Sequence, residues 1–294
     1  MYSFDPSKMV AFDLETTTND PLKARVVTSS IIRINGSNVD ETYLLADPGV
    51  PITPEAEKVH GISNEHAKEN GEPHDEVVAK TVELIRQGWQ EGFTLIVFNG
   101  CFDLTILHQC SPDFTIDGLV VDPYVIDKKM DHYRAGKRNL TAMSEYYEVK
   151  LDNAHNSSAD SLAAARIAWK QARRWPEITT MDGDELMENQ TVWYYEMQTD
   201  LAKYFAGKGR DVDVNLSWPL QLPSRKALRL KELASPFNNR DKSVTTDIQS
   251  ALLFTRVPCL KMCPKNRPNA FFPKQRNNKR LMQHRLHEAL ISFC

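Results

Sequence analysis

The chain has 294 residues, 41% hydrophobic and 26% charged, enough for one large domain or two ordinary ones. No apolar run approaches the roughly 18 residues a transmembrane helix needs, and "MYSFDPSKMV" lacks the basic and apolar regions of a signal peptide. Five scattered cysteines fit a reducing cytoplasm, so a cytoplasmic protein that contacts no membrane is expected.

The net charge of −3 conceals an asymmetry: residues 225–294 carry 15 Lys+Arg against 4 Asp+Glu, whereas the first 224 residues carry 21 against 35. By net charge the acidic part is no nucleic-acid binder, although a local basic rim would be invisible to that sum.

In chain order, residues 9–15 have the composition of a strand, followed by "VVTSSIIRI" (26–34) and "ETYLLAD" (41–47), both rich in β-branched and aromatic residues. The turn signal "NGSN" (35–38) makes these three antiparallel neighbours. Residues 75–90 place Val78, Val82, Leu84, Ile85 and Trp89 near helical spacing. "FTLIVFN" (93–99) is a continuous apolar run, the pattern of a strand buried on both faces. Residues 102–110 look helical, 118–127 look like a further buried strand, and 139–149 form a short helix. An Ala-rich helix covers 157–175, with Ser157 or Ser158 as its N-cap, and a long helix over 183–209 is stopped by Gly207 and Gly209. Its stretch "VWYYEM" (192–197) is expected in the core, with Tyr204 and Phe205 packed likewise. Hairpin strands followed by alternating strands and helices predict a mixed α/β sheet flanked by helices, in one domain over residues 7–220.

The first strand ends on "FDLETT". Residues i and i+2 of a strand share a face, so Asp13 and Glu15 sit side by side where unpaired like charges are costly. Asp103 follows a buried strand and opens a helix in "NGCFD". His155 precedes Asp160 by five residues in "HNSSAD". Each alone has an ordinary explanation: a solvated strand end, an N-cap or first-turn acid, a surface or core histidine. Together, four carboxylates and a histidine at element ends suit metal-assisted phosphodiester hydrolysis. Mg²⁺ prefers hard oxygen ligands, and two ions about 3.5–4 Å apart can activate water and stabilise a leaving oxygen. Divalent cations would also offset the crowded carboxylates. A histidine near its ordinary pKa is suited to act as general base.

"FDLETT", "VHGIS" (59–63), "NGCFD" and "HNSSAD", in this order over residues 9–160, resemble the motifs of the DEDDh 3′–5′ exonucleases, the group that includes proofreading subunits of replicative polymerases. Residues 198–220 resemble the C-terminal end of bacterial and bacteriophage members. The resemblance implies an RNase H-like fold with two Mg²⁺ or Mn²⁺ ions. It implies Asp13, Glu15 and Asp160 as direct metal ligands, Asp103 as a ligand directly or through water, and His155 as the general base. It places the 3′-terminal nucleotide against Leu14, Thr16 and Thr17, with the "VHGIS" loop and His60 at its border and Asn99 among the substrate-binding residues. Phe102 is either core or a stacking platform for a base. The chain departs from the family at Phe98, where many members carry His; this bears on substrate contact or packing, and not on the metals.

The expected function is therefore a 3′–5′ exonuclease on single-stranded nucleic acid, DNA ahead of RNA, with a replicative polymerase as candidate partner. The alternatives are an exoribonuclease, since no 2′-OH contact is identifiable, and a non-catalytic nucleic-acid or polymerase adaptor, which would not need all five polar residues. Residues 225–294 form a basic tail, expected to be poorly ordered. "CLKMC" (259–263) and "HRLH" (284–287) fit a zinc site poorly by spacing, and a basic nucleic-acid arm is the other functional option.

Overall fold

The computed structural model describes residues 2–151 and 157–221. The basic tail, with its Cys and His pairs, lies outside the described residues. Six strands form one sheet: β1 (Lys8–Thr16), β2 (Val26–Asn35), β3 (Asn38–Asp47), β4 (Glu72–Pro73), β5 (Thr94–Ile96) and β6 (Val120–Val121), in the order β4-β3-β2-β1-β5-β6. β1, β2 and β3 pair antiparallel; β3–β4, β1–β5 and β5–β6 are parallel. This is the mixed sheet of antiparallel and parallel strands that the hairpin signals and buried runs imply.

The helices among the described residues are α1 (Pro54–His60), α2 (Asn64–Asn70), α3 (His74–Gln90), α4 (Cys101–Cys110), α5 (Pro123–Met130), α6 (Leu140–Tyr146), α7 (Ser157–Arg174), α8 (Glu177–Thr180) and α9 (Gly183–Ala206). Two of them matter most for the site, because they cover β1 and β2 from opposite faces. On one face Thr81 of α3 donates to Ser29 Oγ at 2.8 Å. On the other, α7 lies over β1 and β2. There Thr28 and Ser157 hydroxyls meet at 3.2 Å, Ser30 donates to Ser158 Oγ at 3.1 Å, and Ser161 reaches the Ser30 carbonyl at 3.5 Å. Ala164, Ala165 and Ala168 are buried beneath the same helix. Small side chains and short hydroxyl bonds let α7 lie close to the sheet, where a bulky residue would lift it.

The segment over residues 118–127 is not one strand. Only Val120–Val121 pair with β5; Asp122 then caps α5, its side chain accepting from the Tyr124 amide, with Pro123 at the first helical turn. Pro has no amide to lose at that position and its fixed φ suits a helix start. The apolar run thus spans a strand end and a helix start, which periodicity alone does not separate. The strand at 93–99 is likewise shorter, ending at Ile96. Ser157 and Ser158 are the first described residues of α7, and the residues that precede them lie outside the described ones. Trp193 and Tyr194 are core residues, but Tyr204 is 57% exposed, with Lys208 over its ring.

The closeness of α7 generates a prediction. Ala164→Leu should overpack the α7–β1 interface and lower the denaturant midpoint by the equivalent of about 1–3 kcal/mol, measured by urea unfolding. An unchanged midpoint would show that the interface has slack.

Candidate active site

The site forms where β1 ends. Asp13 and Glu15 stand half-buried on the face that α7 covers, and Leu14 between them is buried on the opposite side. The β1–β2 register shifts between Glu15 and Thr16, so the ladder breaks just past the two acids. Asp160, in the first turn of α7, is brought over them by the hydroxyl contacts described above. One carboxylate oxygen from each of Asp13, Glu15 and Asp160 lies within 4.8 Å of the others. Asp103 joins from the first turn of α4. Its Oδ1 accepts from the Leu14 amide at 3.2 Å. β5 accompanies β1 only as far as Ala11, so a side chain takes over as partner of a strand amide that β5 does not reach.

Crowding and burial act in one direction on these groups. Burial, then the charges of Asp103, Glu15 and Asp160, raise Asp13 well above the usual carboxylate range. Burial, with Asp160 and Asp103, pushes Glu15 up to about 8. Burial pushes Asp103 up to about 7, against the opposing bond from Leu14. This donor set fits a divalent cation: hard oxygen ligands, already converged, whose mutual repulsion a positive ion would relieve.

The remaining predicted residues fall around this centre. Thr16 and Thr17 are buried. The Thr16 hydroxyl donates to the Thr18 carbonyl at 2.9 Å, and the Thr17 hydroxyl accepts from the Arg25 amide at 3.0 Å, so both hydroxyls are engaged within the fold. His60 is the last residue of α1, not part of a loop. Thr53 caps that helix, and Gly61 ends it at φ 75, a left-handed conformation that suits glycine. The His60 Nδ1 accepts from the Ile62 amide at 3.1 Å, and its ring lies beside the Thr16 backbone; burial outweighs that contact and lowers its pKa. Asn99 is exposed on the turn before α4, at φ 55. Phe102 is partly buried against the core, as is Phe98, whose ring meets Tyr124 at 5.8 Å. His155 lies outside the described residues.

Two residues near the site escaped the sequence reading. Tyr43 lies across from Ser30 in β3, half-exposed, and its hydroxyl pKa is raised by burial and by Glu15. Asp122 is buried directly behind the β5–α4 turn. Strand pairing reveals the first, and the hydrogen bonds to the Asn99 and Gly100 amides reveal the second.

Residues 10–168 match the exonuclease family RNase_T. A DNA polymerase III of PolC type from Caldanaerobacter subterraneus subsp. tengcongensis is 25% identical over 175 residues, which is 58% of this chain and 12% of that protein. A PolC-type DNA polymerase III from Listeria monocytogenes is 22% identical over 176 residues, again 58% of this chain and 12% of the relative. The chain therefore aligns with only a small part of these curated relatives. A solved structure of exonuclease I shares the fold, with a TM-score of 0.51 at 18% identity, over 59% of this chain and 42% of that one.

The raised carboxyls have a consequence for stability. Folding favours their protonated forms, so the stability they contribute is complete below about pH 4, where the unfolded groups titrate, and is lost as pH rises through about 7 for Asp103 and about 8 for Glu15. In chelator, the urea midpoint of the chain should fall between pH 4 and 8. Glu15→Gln or added Mg²⁺ should flatten that slope. A midpoint that rises across the window in chelator would contradict the crowded-carboxylate description.

Proposed function

We propose that this chain, which belongs to the exonuclease family RNase_T, hydrolyses phosphodiester bonds from the 3′ end of single-stranded DNA and releases nucleoside 5′-monophosphates. The observation that carries the reading is the convergence of Asp13, Glu15 and Asp160 within 4.8 Å, with Asp103 beside them, on the fold shared with exonuclease I. Asp13, Glu15 and Asp160 would hold divalent metal, with Asp103 contributing directly or through water. Two Mg²⁺ ions are proposed, with Mn²⁺ as substitute. When bound, such ions lower the pKa of water and stabilise charge on the phosphate and the leaving oxygen.

The chain's own residues do the rest. His155 accepts a proton from the attacking water. A new P–O bond forms to the terminal phosphate as the P–O3′ bond to the preceding nucleotide breaks, and the freed 3′ oxygen takes a proton from solvent. The backbone around Leu14, Thr16 and Thr17 is proposed to hold the terminal nucleotide, with His60 at its border. Asn99 and Phe102 are offered from the turn and first helical residues beside it. DNA is proposed ahead of RNA, and a replicative polymerase is the proposed partner, because the related segments lie within DNA polymerase III chains. Residues 7–220 are proposed as the exonuclease domain and 225–294 as a basic tail outside it. In support, the family match ends at 168, and the described chain is still tied to α4 at Gln221, whose amide donates to Thr105 Oγ1 at 2.7 Å. Among the described residues no helix is long and apolar enough to cross a membrane.

The test uses 5′-labelled single-stranded DNA and RNA of one sequence, with Mg²⁺ or Mn²⁺, resolved as product ladders. Shortening from the 3′ end with DNA preferred is expected; ladders with RNA alone would replace the substrate assignment, and no product with either would overturn the reading. Asp13→Ala or Asp160→Ala should abolish product while leaving the circular dichroism spectrum intact. His155→Ala should slow turnover by about 10²–10⁴-fold and leave Mn²⁺ affinity unchanged in calorimetry. A large loss of affinity would place His155 among the metal ligands instead.

A further inference from the structure

Asp122 is a fully buried carboxylate that the proposed reaction does not use. Its Oδ1 accepts from the amides of Asn99 (2.9 Å) and Tyr124 (3.0 Å), and its Oδ2 from the Gly100 amide (3.0 Å) and from Trp218 Nε1 (3.4 Å). The Tyr124 bond caps α5 and needs no further explanation. The Asn99 and Gly100 bonds do something else. These residues form the turn between β5 and α4. Asn99 stands in the left-handed region at φ 55, a conformation that persists in a non-glycine residue when its surroundings hold it there. Gly100 has no side chain to cap α4, and a Cβ there would lie 2.7 Å from Val97 Cβ. The turn is therefore tight, and a carboxylate from elsewhere gathers its amides.

Asp103 is the third residue of the helix that this turn starts. The segment after α9 holds the same helix from another side. Cys101 Sγ lies 3.2 Å from the Ser217 carbonyl, Gln221 bonds Thr105, and Trp218 between them reaches Asp122 itself. Gln190 of α9 accepts from the Asp122 amide at 2.8 Å and so fixes the backbone that carries the carboxylate.

We propose that Asp122 is a positioning residue: by gathering the amides of Asn99 and Gly100 it sets the start of α4, and with it the placement of Asp103 and Asn99 against Asp13 and Glu15. The proposal rests on the exonuclease reading for its catalytic meaning. Four donors converge on two oxygens, so both must be acceptors. An amide of the same shape cannot replace the carboxylate, because in either orientation its NH₂ faces two N–H donors.

Asp122→Asn should therefore let the turn relax. A shift of about 1 Å in a catalytic group is enough to cost on the order of 10²-fold in rate, and loss of support behind metal ligands costs about 10–100-fold in affinity or activity. The expected pattern is a kcat lower by about 10–100-fold, a KM little changed and a weaker Mn²⁺ affinity by calorimetry. Thr81→Val serves as control. It removes a buried hydrogen bond on the opposite face of the sheet and should lower thermal stability while sparing kcat and Mn²⁺ affinity. If Asp122→Asn does not fold, Trp218→Phe removes one donor and should give the same pattern at smaller amplitude. A folded variant of either kind whose kcat and Mn²⁺ affinity match those of Thr81→Val would overturn the proposal. Failure of the wild-type chain to degrade 3′ ends would defeat the exonuclease reading, and the Mn²⁺ titrations would still decide whether Asp122 positions the acidic cluster.

Discussion

Three carboxylates whose oxygens converge within 4.8 Å in a half-buried place repel one another, and the fold around them is organised to hold them there. The charges that act most strongly on Asp13 and Glu15 are those of neighbouring carboxylates. The restraint comes from backbone and packing: the β1–β2 ladder carries two of the acids, and the close seat of α7 on β2 carries the third. Asp103 is held by a strand amide. Each acid is thus anchored to regular structure, which gives more precise placement than a loop would.

The sheet divides the work between its faces. On one side Ser29 and Thr81 join β2 to α3, and on the other Thr28 and Ser30 join it to α7. β2 therefore carries three consecutive hydroxyl residues, Thr28, Ser29 and Ser30, that are buried on alternate faces of the sheet. Hydroxyls paired across an interface are satisfied donors and acceptors, so they remain compatible with burial. They also occupy less space than Val or Ile, which brings the first turn of α7 down to β1.

Much of this was legible in the amino-acid order. The alternation in "FDLETT" placed two acids on one face because strand periodicity is two, and the long helices announced themselves, α3 by apolar spacing, α7 by its Ala-rich composition and α9 by the glycines that follow it. The short helices α1 and α2 did not. Each has seven residues, and α1 buries none of them, so there is no apolar stripe to read. Only the caps Thr53 and Ser63 and the turn at Gly61 encode them. The run at 118–127 misled because one apolar stretch serves a strand and then a helix, with Asp122 and Pro123 as the punctuation. The bond from Leu14 to Asp103, between residues 89 apart in sequence, depends on where β5 stops alongside β1. No local pattern carries that information.

The contact between Asp103 and the Leu14 amide, like that between Ser30 and Ser158 at a separation of 128 residues, closes a very long loop. Such closures are entropically expensive and are made late or together with the rest of the core. The acidic cluster consequently has no counterpart in the unfolded chain, where its members are scattered. A cation held by the cluster would bind the native state alone, and its concentration would enter the folding equilibrium as a mass-action term. Under the proposed function, loss of that ion would then loosen the same elements that a substrate would meet, so catalytic competence and conformational integrity would share one reservoir of divalent ion.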